Sequence, residues 1–443
     1  MDTLKRLFGF DSSVHSIKTE IIAGVTTFLT MAYILAVNPG IFADLGNILG
    51  PEKGMPVDSV FTATALAAAF GTLIMAIYAK KPFGLAPGMG LNAFFVYTVC
   101  IGMGYSWKMA LTAILIEGII FVILSATKVR DAIVNAFPDS LKYAIGVGIG
   151  LYIAFIGLQN AGVVVKSEST GVTLGALDQP QVILFCIGFF ISAALVSLKI
   201  KGGLLWGILA TTIIGIPMGV TTFSGVMAAP PSVAPIFCQF EWSQVFSWDM
   251  FIIVFTLLFL DMFDTMGTVI GVSVKANMIK PDGKIDGLSK IFMSDALATV
   301  AGACLGTNTT TTYIESSAGV AEGGRTGLTS FVVAICFLLS LFFAPLFIAI
   351  PGAATGAVLV LVGAVMCTPV KDIDWADLSE CIPAFVTLIM MPLAYSISDG
   401  IMLGLISYVF ISLLTWKLSK LNWTICILAV LFIIRYVFIL MLN

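Results

Sequence analysis

The sequence predicts an all-α polytopic membrane protein with about fourteen transmembrane spans, organised as two repeats of seven. Three observations support this prediction: the composition, a regular succession of apolar runs, and the placement of Lys and Arg between them. Of the 443 residues, 59% are hydrophobic and only 11% are charged, whereas a soluble domain has about 25% charged residues. A chain this apolar cannot cover a water-facing surface with polar groups, so lipid is the expected solvent for its outer faces.

Apolar runs long enough to cross a bilayer recur along the chain. A transmembrane helix needs about 20 mainly apolar residues. In the first half, the predicted spans are 20–43, 58–79, 86–103, 107–126, 140–161, 181–198 and 203–222. In the second half, they are 249–273, 288–304, 307–320, 327–350, 354–370, 382–397 and 400–416. A further apolar run at 423–441 either spans the membrane, lies at its surface, or results from an incorrect division of one helix.

The placement of positive charge predicts the orientation of the spans. Cytoplasmic loops are enriched in Lys and Arg. With a cytoplasmic N-terminus, only Lys53, Lys108 and Lys166 of the 22 Lys and Arg residues fall in outer loops, and Arg435 lies within the last apolar run. The others fall in inner segments, so we expect the N-terminus to be cytoplasmic.

Two sets of seven spans predict an internal duplication. An odd number of spans in each repeat places the two repeats in opposite orientations. The fifth span, which begins after Pro138, and the twelfth, which begins after Pro351, both carry glycine at short intervals. Closely spaced small residues let helices approach each other, so we expect close packing at both helices.

The third and tenth spans are short and interrupted, and they occupy equivalent places in the two repeats. The third contains APGMGLN at 86–92, where proline and glycine disfavour a regular helix. The tenth contains the threonine-rich stretch 307–312, which favours extended backbone and precedes Glu315. Paired broken segments of this kind point to the binding site of a transporter. Asn92 and Glu315 are therefore candidate ligand-binding residues, with an interhelical hydrogen bond and a helix cap as their structural alternatives.

Four more acidic residues lie inside predicted spans. Asp261 and Asp264 of the eighth span are three residues apart and share one helical face. Two such buried carboxylates are not both comfortably ionised, so at least one should pair, hold a proton or bind a ligand. We interpret Asp264 as facing the ligand, whereas Asp261 either binds or supports the site. Asp295 in the ninth span and Glu117 in the fourth are interpreted as supporting partners.

The excess of buried acids over buried bases excludes some function classes. Acids without basic partners suit coupling to protons or cations, or a neutral ligand rich in hydrogen-bond donors, and they argue against an anion site. No Walker A, GxSxG or HExxH motif occurs, so neither ATP drive nor an enzyme is predicted. No basic domain points to nucleic acid. The scattered cysteines and the single histidine, His15, predict no metal and no cofactor.

Five motifs carry a resemblance to a known family. They are GVTTFLTMAYILAVNP at 24–39, APGMGLNAFF at 86–95, FPDSLKYAIGVGIGLYIAFIGLQNAGVVV at 137–165, FDTMGTVIGV at 263–272 and TTYIESSAGVAEGGRTGLT at 311–329. Through them the chain resembles the nucleobase–cation symporter (nucleobase/ascorbate transporter) superfamily. Within it, the chain is most similar to the adenine–guanine–hypoxanthine purine permease branch, and the resemblance covers nearly the whole chain in order.

The resemblance implies a core domain and a gate domain, each assembled from both inverted repeats. The core would comprise 1–128 and 248–350. The gate would comprise 129–225 and 351–443, and the last of these ranges includes the C-terminal apolar segment. The broken third and tenth spans would each contain a short strand, and the two strands would pair. The gate would also provide the interface of a homodimer in a bacterial cytoplasmic membrane.

The resemblance also implies roles for individual residues. Asp264 and Glu315 match the acids of the eighth and tenth spans that hydrogen-bond the base. Asn92 matches the polar residue of the third span in the purine branch. The candidates for proton coupling are Glu315, Asp264, Asp261 and Asp295.

Three further residues complete the implied binding cradle. Backbone near Ala93 and Ser316 would contact the base, and Phe94 would stack on it. Many xanthine and uracil relatives have Asn immediately after the acid of the tenth span, whereas this chain has Ser316. Because of this difference, the resemblance favours the substrates of the adenine–guanine–hypoxanthine branch over xanthine and uracil.

The implied function is proton-coupled import of purine nucleobases, with hypoxanthine or guanine first and adenine second, by an elevator-like shift of the core against the gate. One alternative is a transporter of the same fold for xanthine, uracil or an anion. Another is a channel or a receptor. The sequence does not decide between coupling to protons and coupling to sodium. The expected partners are lipid and the nucleobase.

Overall fold

A computed structural model describes residues 2–127, 138–223, 225–276, 278, 285, 287–418 and 421–442. Helices dominate this part of the chain, and the strands are few and short. Most of the long helices are apolar around their whole circumference rather than along one stripe. Their packing therefore depends on small residues and on buried polar pairs, as is usual for helices in lipid.

The first half of the chain contains nine helices and three strands among its described residues. They are α1 (Asp2–Phe8), α2 (Ile17–Met31), α3 (Ile34–Leu49), α4 (Val57–Ile74), β1 (Leu85–Pro87), α5 (Met89–Ala93), α6 (Trp107–Ala126), α7 (Asp139–Asn160), β2 (Val164–Ser167), β3 (Gly171–Leu174), α8 (Pro180–Ser197) and α9 (Gly203–Gly215). Wider π-helical turns extend α4 over Met75–Ala79 and α5 over Phe94–Gly102.

The second half repeats the pattern of helices interrupted by one short strand. Its described elements are α10 (Trp248–Ala276), α11 (Leu288–Leu305), β4 (Thr310–Thr312), α12 (Ser316–Ala321), α13 (Gly327–Ser340), α14 (Ala344–Ile348), α15 (Gly352–Met366), α16 (Leu378–Leu393), α17 (Ile397–Leu414) and α18 (Trp423–Leu442). Each predicted span corresponds to a helix, to two consecutive helices, or to a strand followed by a helix.

Within the described residues, eight helical stretches are long and apolar enough to cross a membrane. They are Ile17–Leu49, Pro51–Ala79, Trp107–Ala126, Asp139–Asn160, Pro180–Ser197, Leu288–Leu305, Gly327–Ile348 and Gly352–Asp372. Shorter apolar helices account for most of the remaining predicted spans. The prediction of an all-α polytopic membrane protein is confirmed.

The apolar run at 423–441 forms a helix of its own. The helix α18 begins at Trp423, whereas α17 ends at Leu414, so the run does not result from an incorrect division of one helix. The Tyr436 hydroxyl donates to the Asp399 carboxylate near the start of α17, at 2.8 Å. A crossing of the membrane by α18 remains a prediction.

A two-stranded ribbon joins the broken segments of the two repeats. Strands β1 and β4 pair in antiparallel fashion, with Leu85 opposite Thr312 and Pro87 opposite Thr310, and both are fully buried. Equivalent segments of an inverted repeat run in opposite directions, which is what this pairing shows. The predicted interruptions of the third and tenth spans, and the pairing of their strands, are confirmed.

The chain divides into two compact units, of which the first comprises residues 1–126 and 158–358. The β1–β4 ribbon belongs to this unit. Apolar side chains from α4, α10, α11 and α12 cover it, and the fully buried members of this cluster include Phe83, Leu85, Val269 and Ala298. The ribbon therefore lies deep among the helices of the first unit.

The second unit comprises residues 127–157 and 359–443. In it, the glycine-rich helices α7 and α15 touch, since a Cβ added at Gly150 would lie 2.7 Å from the carbonyl oxygen of Gly363. The expected close packing of the fifth and twelfth spans is thus confirmed. The assignment of residues to core and gate domains remains a prediction. Its boundary at 128/129 and the start of the third motif, at 137, lie outside the described residues.

Candidate functional site

The ribbon satisfies the backbone groups that the broken spans leave without helical partners. The Gly88 N–H donates to the Thr309 carbonyl at 2.9 Å, and the Tyr313 N–H donates to the Gly84 carbonyl at 3.0 Å. The Tyr313 hydroxyl also donates to the Pro87 carbonyl at 2.5 Å. Broken backbone is stable in an apolar setting only when it is paired in this way. The ribbon thus forms a fixed frame from which α5 and α12 begin.

Glu315 stands immediately before α12, at the end of the segment that contains β4. Its side chain caps no backbone N–H of that helix, so the structural alternative considered for this residue is not what the fold uses. Instead, one carboxylate oxygen accepts a hydrogen bond from the Tyr33 hydroxyl at 2.5 Å. Tyr33 is buried and lies in the break between α2 and α3. The Thr30 hydroxyl contacts the backbone carbonyl of Glu315 at 3.4 Å.

Asp264 of α10 belongs to the same group of side chains. Its charge interacts with that of Glu315, and the hydroxyls of Tyr33 and Tyr313 also lie within electrostatic range of Asp264. Among the described residues, no hydrogen-bond donor pairs with the Asp264 carboxylate. The structure therefore brings together two of the predicted ligand-binding acids, and both retain unused acceptor capacity.

A second group of acids lies deeper in the first unit. Glu117 of α6, Asp261 of α10 and Asp295 of α11 are each 0% exposed. The charge of Asp261 interacts with those of Asp295, Glu117 and Asp264. Within the described part of the chain, no Lys or Arg forms an ion pair with any of these acids. Asp261, Asp295 and Glu117 are called the acid cluster below.

Threonine hydroxyls connect the acid cluster to strand β4. The Thr265 hydroxyl donates to Asp295 at 2.8 Å and lies 2.7 Å from the Thr311 hydroxyl. The Thr309 hydroxyl donates to Glu117 at 3.3 Å. These bonds use one oxygen of each of two acids. Both oxygens of Asp261, and the second oxygens of Asp295 and Glu117, have no hydrogen-bond donor among the described residues.

Asn92 lies in a different buried network from the two ligand-binding acids. Its side-chain amide donates to the Asn38 carbonyl oxygen at 3.1 Å. Ala93 and Phe94, at the end of α5, are also buried. The Ser316 hydroxyl accepts from the Gly84 N–H at 2.9 Å and thereby ties α12 to the ribbon. Ligand contacts by Asn92, Ala93, Phe94 and Ser316 remain predictions.

Arg325 lies between α12 and α13, and its bonds connect this turn to α12 and α2. Its guanidinium donates to the carbonyl of Val320 at 2.6 Å and to that of Gly324 at 2.7 Å. Its backbone N–H donates to the buried Glu20 carboxylate at 3.1 Å. These bonds hold the turn between α12 and α13 in place.

Sequence reasoning missed several polar residues that hold the candidate site together. Tyr33 and Asn38 come from the first span, Thr265 from α10 and Thr311 from β4. Tyr33 and Asn38 lie within the motif at 24–39, where polar side chains interrupt an otherwise apolar run. That interruption is a signal in the sequence, but it does not say which side chains the two residues meet.

Comparison with known proteins identifies a family and several similar permeases. A model described as the Permease family matches residues 18–403. The chain is 40% identical to the adenine permease AdeP of Escherichia coli, over 98% of this chain and 96% of that one. It is 41% identical to the guanine/hypoxanthine permease PbuG of Bacillus subtilis, over 98% and 100%, and 43% identical to PbuO of the same organism, over 97% and 99%.

Solved structures of low sequence identity have the same fold. The transmembrane domain of the cyanobacterial bicarbonate transporter BicA superposes with a TM-score of 0.64 at 14% identity, covering 87% of this chain and 97% of that one. The structure of SLC26A9 superposes with a TM-score of 0.64 at 14% identity, covering 94% and 69%. At this level of sequence identity, these similarities concern the fold only.

Proposed function

Since the chain belongs to this permease family, a family of membrane transporters, we propose that it imports purine nucleobases by secondary active transport. Hypoxanthine and guanine are the first candidates and adenine is the next. The relatives that share about two fifths of its residues are named as permeases for these bases. They align over nearly their whole length, so the sequence that forms the ribbon and its surroundings has a counterpart in each.

The observation that carries the proposal is the pair of acids beside the ribbon. Asp264 and Glu315 interact with each other, and only one of their oxygens accepts a bond from a described side chain. Purine bases present N–H donors at their edges, and carboxylate oxygens are strong acceptors for such groups. A small anion would be repelled by the same two acids. We therefore do not propose an anion as the substrate, despite the fold similarity to a bicarbonate transporter.

Proton symport is the proposed source of energy. The acid cluster adds three fully buried carboxylates to the two beside the ribbon, without a basic partner among the described residues. Burial of several negative charges close together is strongly unfavourable, so some of these groups are expected to hold protons. Glu315, Asp264, Asp261 and Asp295 are the proposed carriers. Binding of a base to Asp264 and Glu315 would change the electrostatic potential at the neighbouring acids. Binding of the base and binding of the proton would thereby be coupled.

The proposed movement is an elevator-like shift of the core domain against the gate domain. The core would comprise 1–128 and 248–350, and the gate 129–225 and 351–443. All of the candidate ligand-binding residues lie in the first compact unit, as a site carried by one moving body requires. The protein is proposed to reside in a bacterial cytoplasmic membrane with its N-terminus cytoplasmic, and to dimerise through the gate.

Uptake of labelled bases tests the substrate and the coupling together. Cells that lack their own purine uptake would express the protein and receive hypoxanthine, guanine, adenine, xanthine or uracil, with and without an uncoupler. We expect accumulation of purines that the uncoupler abolishes. Accumulation that ignores the proton gradient would refute the symport. Selective uptake of xanthine or uracil would favour the alternative substrates, and a non-saturating flux would favour a channel.

Variants of the two acids test the site. We expect Glu315→Gln and Asp264→Asn to abolish accumulation, because each replaces an acceptor oxygen by an amide donor. Asp44→Asn is the matched control. Asp44 is a carboxylate of α3 that accepts from Tyr97 at 2.5 Å and from Asn160 at 3.0 Å, and neither partner belongs to the ribbon or to the candidate site. Normal transport by either site variant would remove that acid from its proposed role.

A further inference from the structure

A line of buried polar side chains runs from α4 through α3 to α5. Thr64, Asn38 and Asn92 are each 0% exposed. Asn38 and Asn92 carry amides, and an amide can present either its NH2 group or its oxygen to a neighbour. The orientation of such a group is fixed only by what its partners can donate or accept. The partners of Asn38 settle its orientation, and through it that of Asn92.

Thr64 fixes the first amide. The Thr64 hydroxyl has one proton, which it donates to the Val60 carbonyl at 2.7 Å. Toward Asn38 it can therefore only accept, and the Asn38 NH2 group donates to it at 2.8 Å. The same NH2 group donates its other proton to the Thr307 hydroxyl at 3.0 Å. A reversed amide would place the Asn38 oxygen against a hydroxyl that has no proton left to give.

The orientation of Asn38 fixes the second amide. Since the Asn38 NH2 group faces Thr64 and Thr307, its oxygen faces Asn92, and the Asn92 NH2 group donates to it at 3.1 Å. The oxygen of Asn92 therefore points away from Asn38. Among the described residues this oxygen has no hydrogen-bond donor, although it is fully buried. Folded proteins rarely leave a buried acceptor unpaired, so an unpaired one calls for an occupant.

We infer that Asn38 is a positioning residue that holds the Asn92 amide with its oxygen presented to the transported base. The inference rests on the proposed function and deepens it. The Asn92 oxygen would accept a hydrogen bond from an N–H group of the purine. Asn38 would prevent the Asn92 amide from reversing. A base with an acceptor or an N-methyl group at that position would meet an oxygen with which it cannot bond. The relay from Thr64 through Asn38 thus sets the specificity of the site at one edge of the base.

The experiment measures selectivity rather than rate alone. Hypoxanthine and its 1-methyl, 7-methyl and 9-methyl derivatives would compete with labelled hypoxanthine, or with whichever purine the wild-type protein accumulates. The variants are Asn92→Ala, Asn38→Ala, the double variant, and Thr64→Val, which removes the acceptor that orients Asn38. Thr62→Val is the matched control, because the Thr62 hydroxyl of the same helix donates only to backbone carbonyls, including that of Pro231 at 2.9 Å.

We expect the wild-type protein to discriminate against one methylated isomer by roughly tenfold or more, the usual consequence of leaving one buried acceptor unpaired. Asn92→Ala and Asn38→Ala should both lose most of that discrimination. The double variant should lose no more than Asn92→Ala alone, because Asn38 acts through Asn92. Thr64→Val should reduce the discrimination, and Thr62→Val should keep it. Immunoblots of the membrane fraction establish that each variant is present at comparable levels.

Two results would overturn the inference while leaving the proposed function intact. The first is purine uptake by Asn38→Ala and Thr64→Val with wild-type ranking of the isomers. The second is additive losses in the double variant, which would show that Asn38 acts on the base by another route. Should Asn38→Ala fail to reach the membrane, Thr64→Val decides the matter with the same readout. If the wild-type protein accumulates no purine at all, the proposed function fails, and the inference fails with it.

Discussion

Replacing Tyr33 by Phe tests whether the first span positions the acid of the tenth span. The change removes a single oxygen, the hydroxyl that lies 2.5 Å from the Glu315 carboxylate. Tyr33 is 1% exposed, so the remaining phenyl ring keeps its packing and no water is expected to replace the hydroxyl. The perturbation is therefore confined to one hydrogen bond between two residues of the candidate site.

The size of the effect follows from the type of bond. A hydrogen bond to a charged group contributes about 1.5–3 kcal/mol, which corresponds to a factor of roughly 10 to 150 in an equilibrium constant. Part of this loss destabilises the empty protein, and part weakens the bound state, where the carboxylate must keep its orientation toward the base. We expect Vmax/KM for purine uptake to fall by about tenfold, with the figure of 150 as the upper limit.

Initial rates of uptake over a range of base concentrations measure the effect on transport, and thermal unfolding of the purified protein measures the effect on stability. Tyr97→Phe is the control, and it also removes the bond that the Tyr97 hydroxyl accepts from the Asn160 amide at 2.9 Å. The Tyr97 hydroxyl donates to the Asp44 carboxylate at 2.5 Å, and Tyr97 is 2% exposed. The two bonds have the same chemistry and length, but only the bond from Tyr33 ends on a residue of the proposed site. We expect both variants to lose stability and only Tyr33→Phe to lose substrate affinity.

Equal losses of affinity in the two variants would refute the reasoning, because the effect would then come from general loosening of the first unit. An unchanged KM in Tyr33→Phe, together with reduced stability, would mean that Tyr33 supports the fold and does not position Glu315 for the substrate. In either case the proposal that Glu315 binds the base would depend on the Glu315→Gln variant alone.

Three other predictions concern the acid cluster, the helix packing and the N-terminal turn. Glu117→Gln should keep equilibrium binding of the purine but lower uphill uptake, because the charge of Glu117 acts on Asp261 and Asp295, two of the proposed proton carriers; uptake still driven normally by a proton gradient would contradict this. Gly319→Ala should lower the melting temperature, since the new Cβ would clash with the backbone carbonyl oxygen of Ala23 and overpacking costs about 1–3 kcal/mol. Gly146→Ala, where a Cβ meets nothing within 4 Å, should be neutral or stabilising, and a matching loss would contradict the packing argument. Hydrogen bonds from a neighbouring serine, and then from a nearby lysine, lower the pKa of Asp11 to about 2. The stabilisation that these bonds give the turn is therefore present above about pH 4 and is lost as the pH falls toward 2. An NMR titration that gives Asp11 an ordinary pKa near 4 would contradict this prediction.

The fold was largely predictable because membrane insertion depends on properties that the sequence displays directly. Span length follows from hydropathy, and the interruptions of the third and tenth spans follow from local chemistry: proline and glycine around 86–90 and threonine around 307–312. Even the contact between α7 and α15 has a local signal, because glycine recurs at short intervals in both helices. The run at 423–441 was harder to interpret, since hydropathy alone cannot separate a short additional helix from the end of the preceding one.

The candidate site was only partly predictable, because its parts are selected by long-range contacts. Buried acids are conspicuous in an apolar sequence, so Asp264 and Glu315 could be found. Spacing cannot show that Tyr33 reaches Glu315, however, because the two residues are 282 positions apart in the sequence. The same holds for Asn38, whose partners Thr64, Asn92 and Thr307 come from three different segments. In lipid, polar groups of this kind must find one another, because no water competes for them. The partner of a polar residue inside an apolar span, which decides the role of that residue, therefore becomes visible only when the spans are packed together.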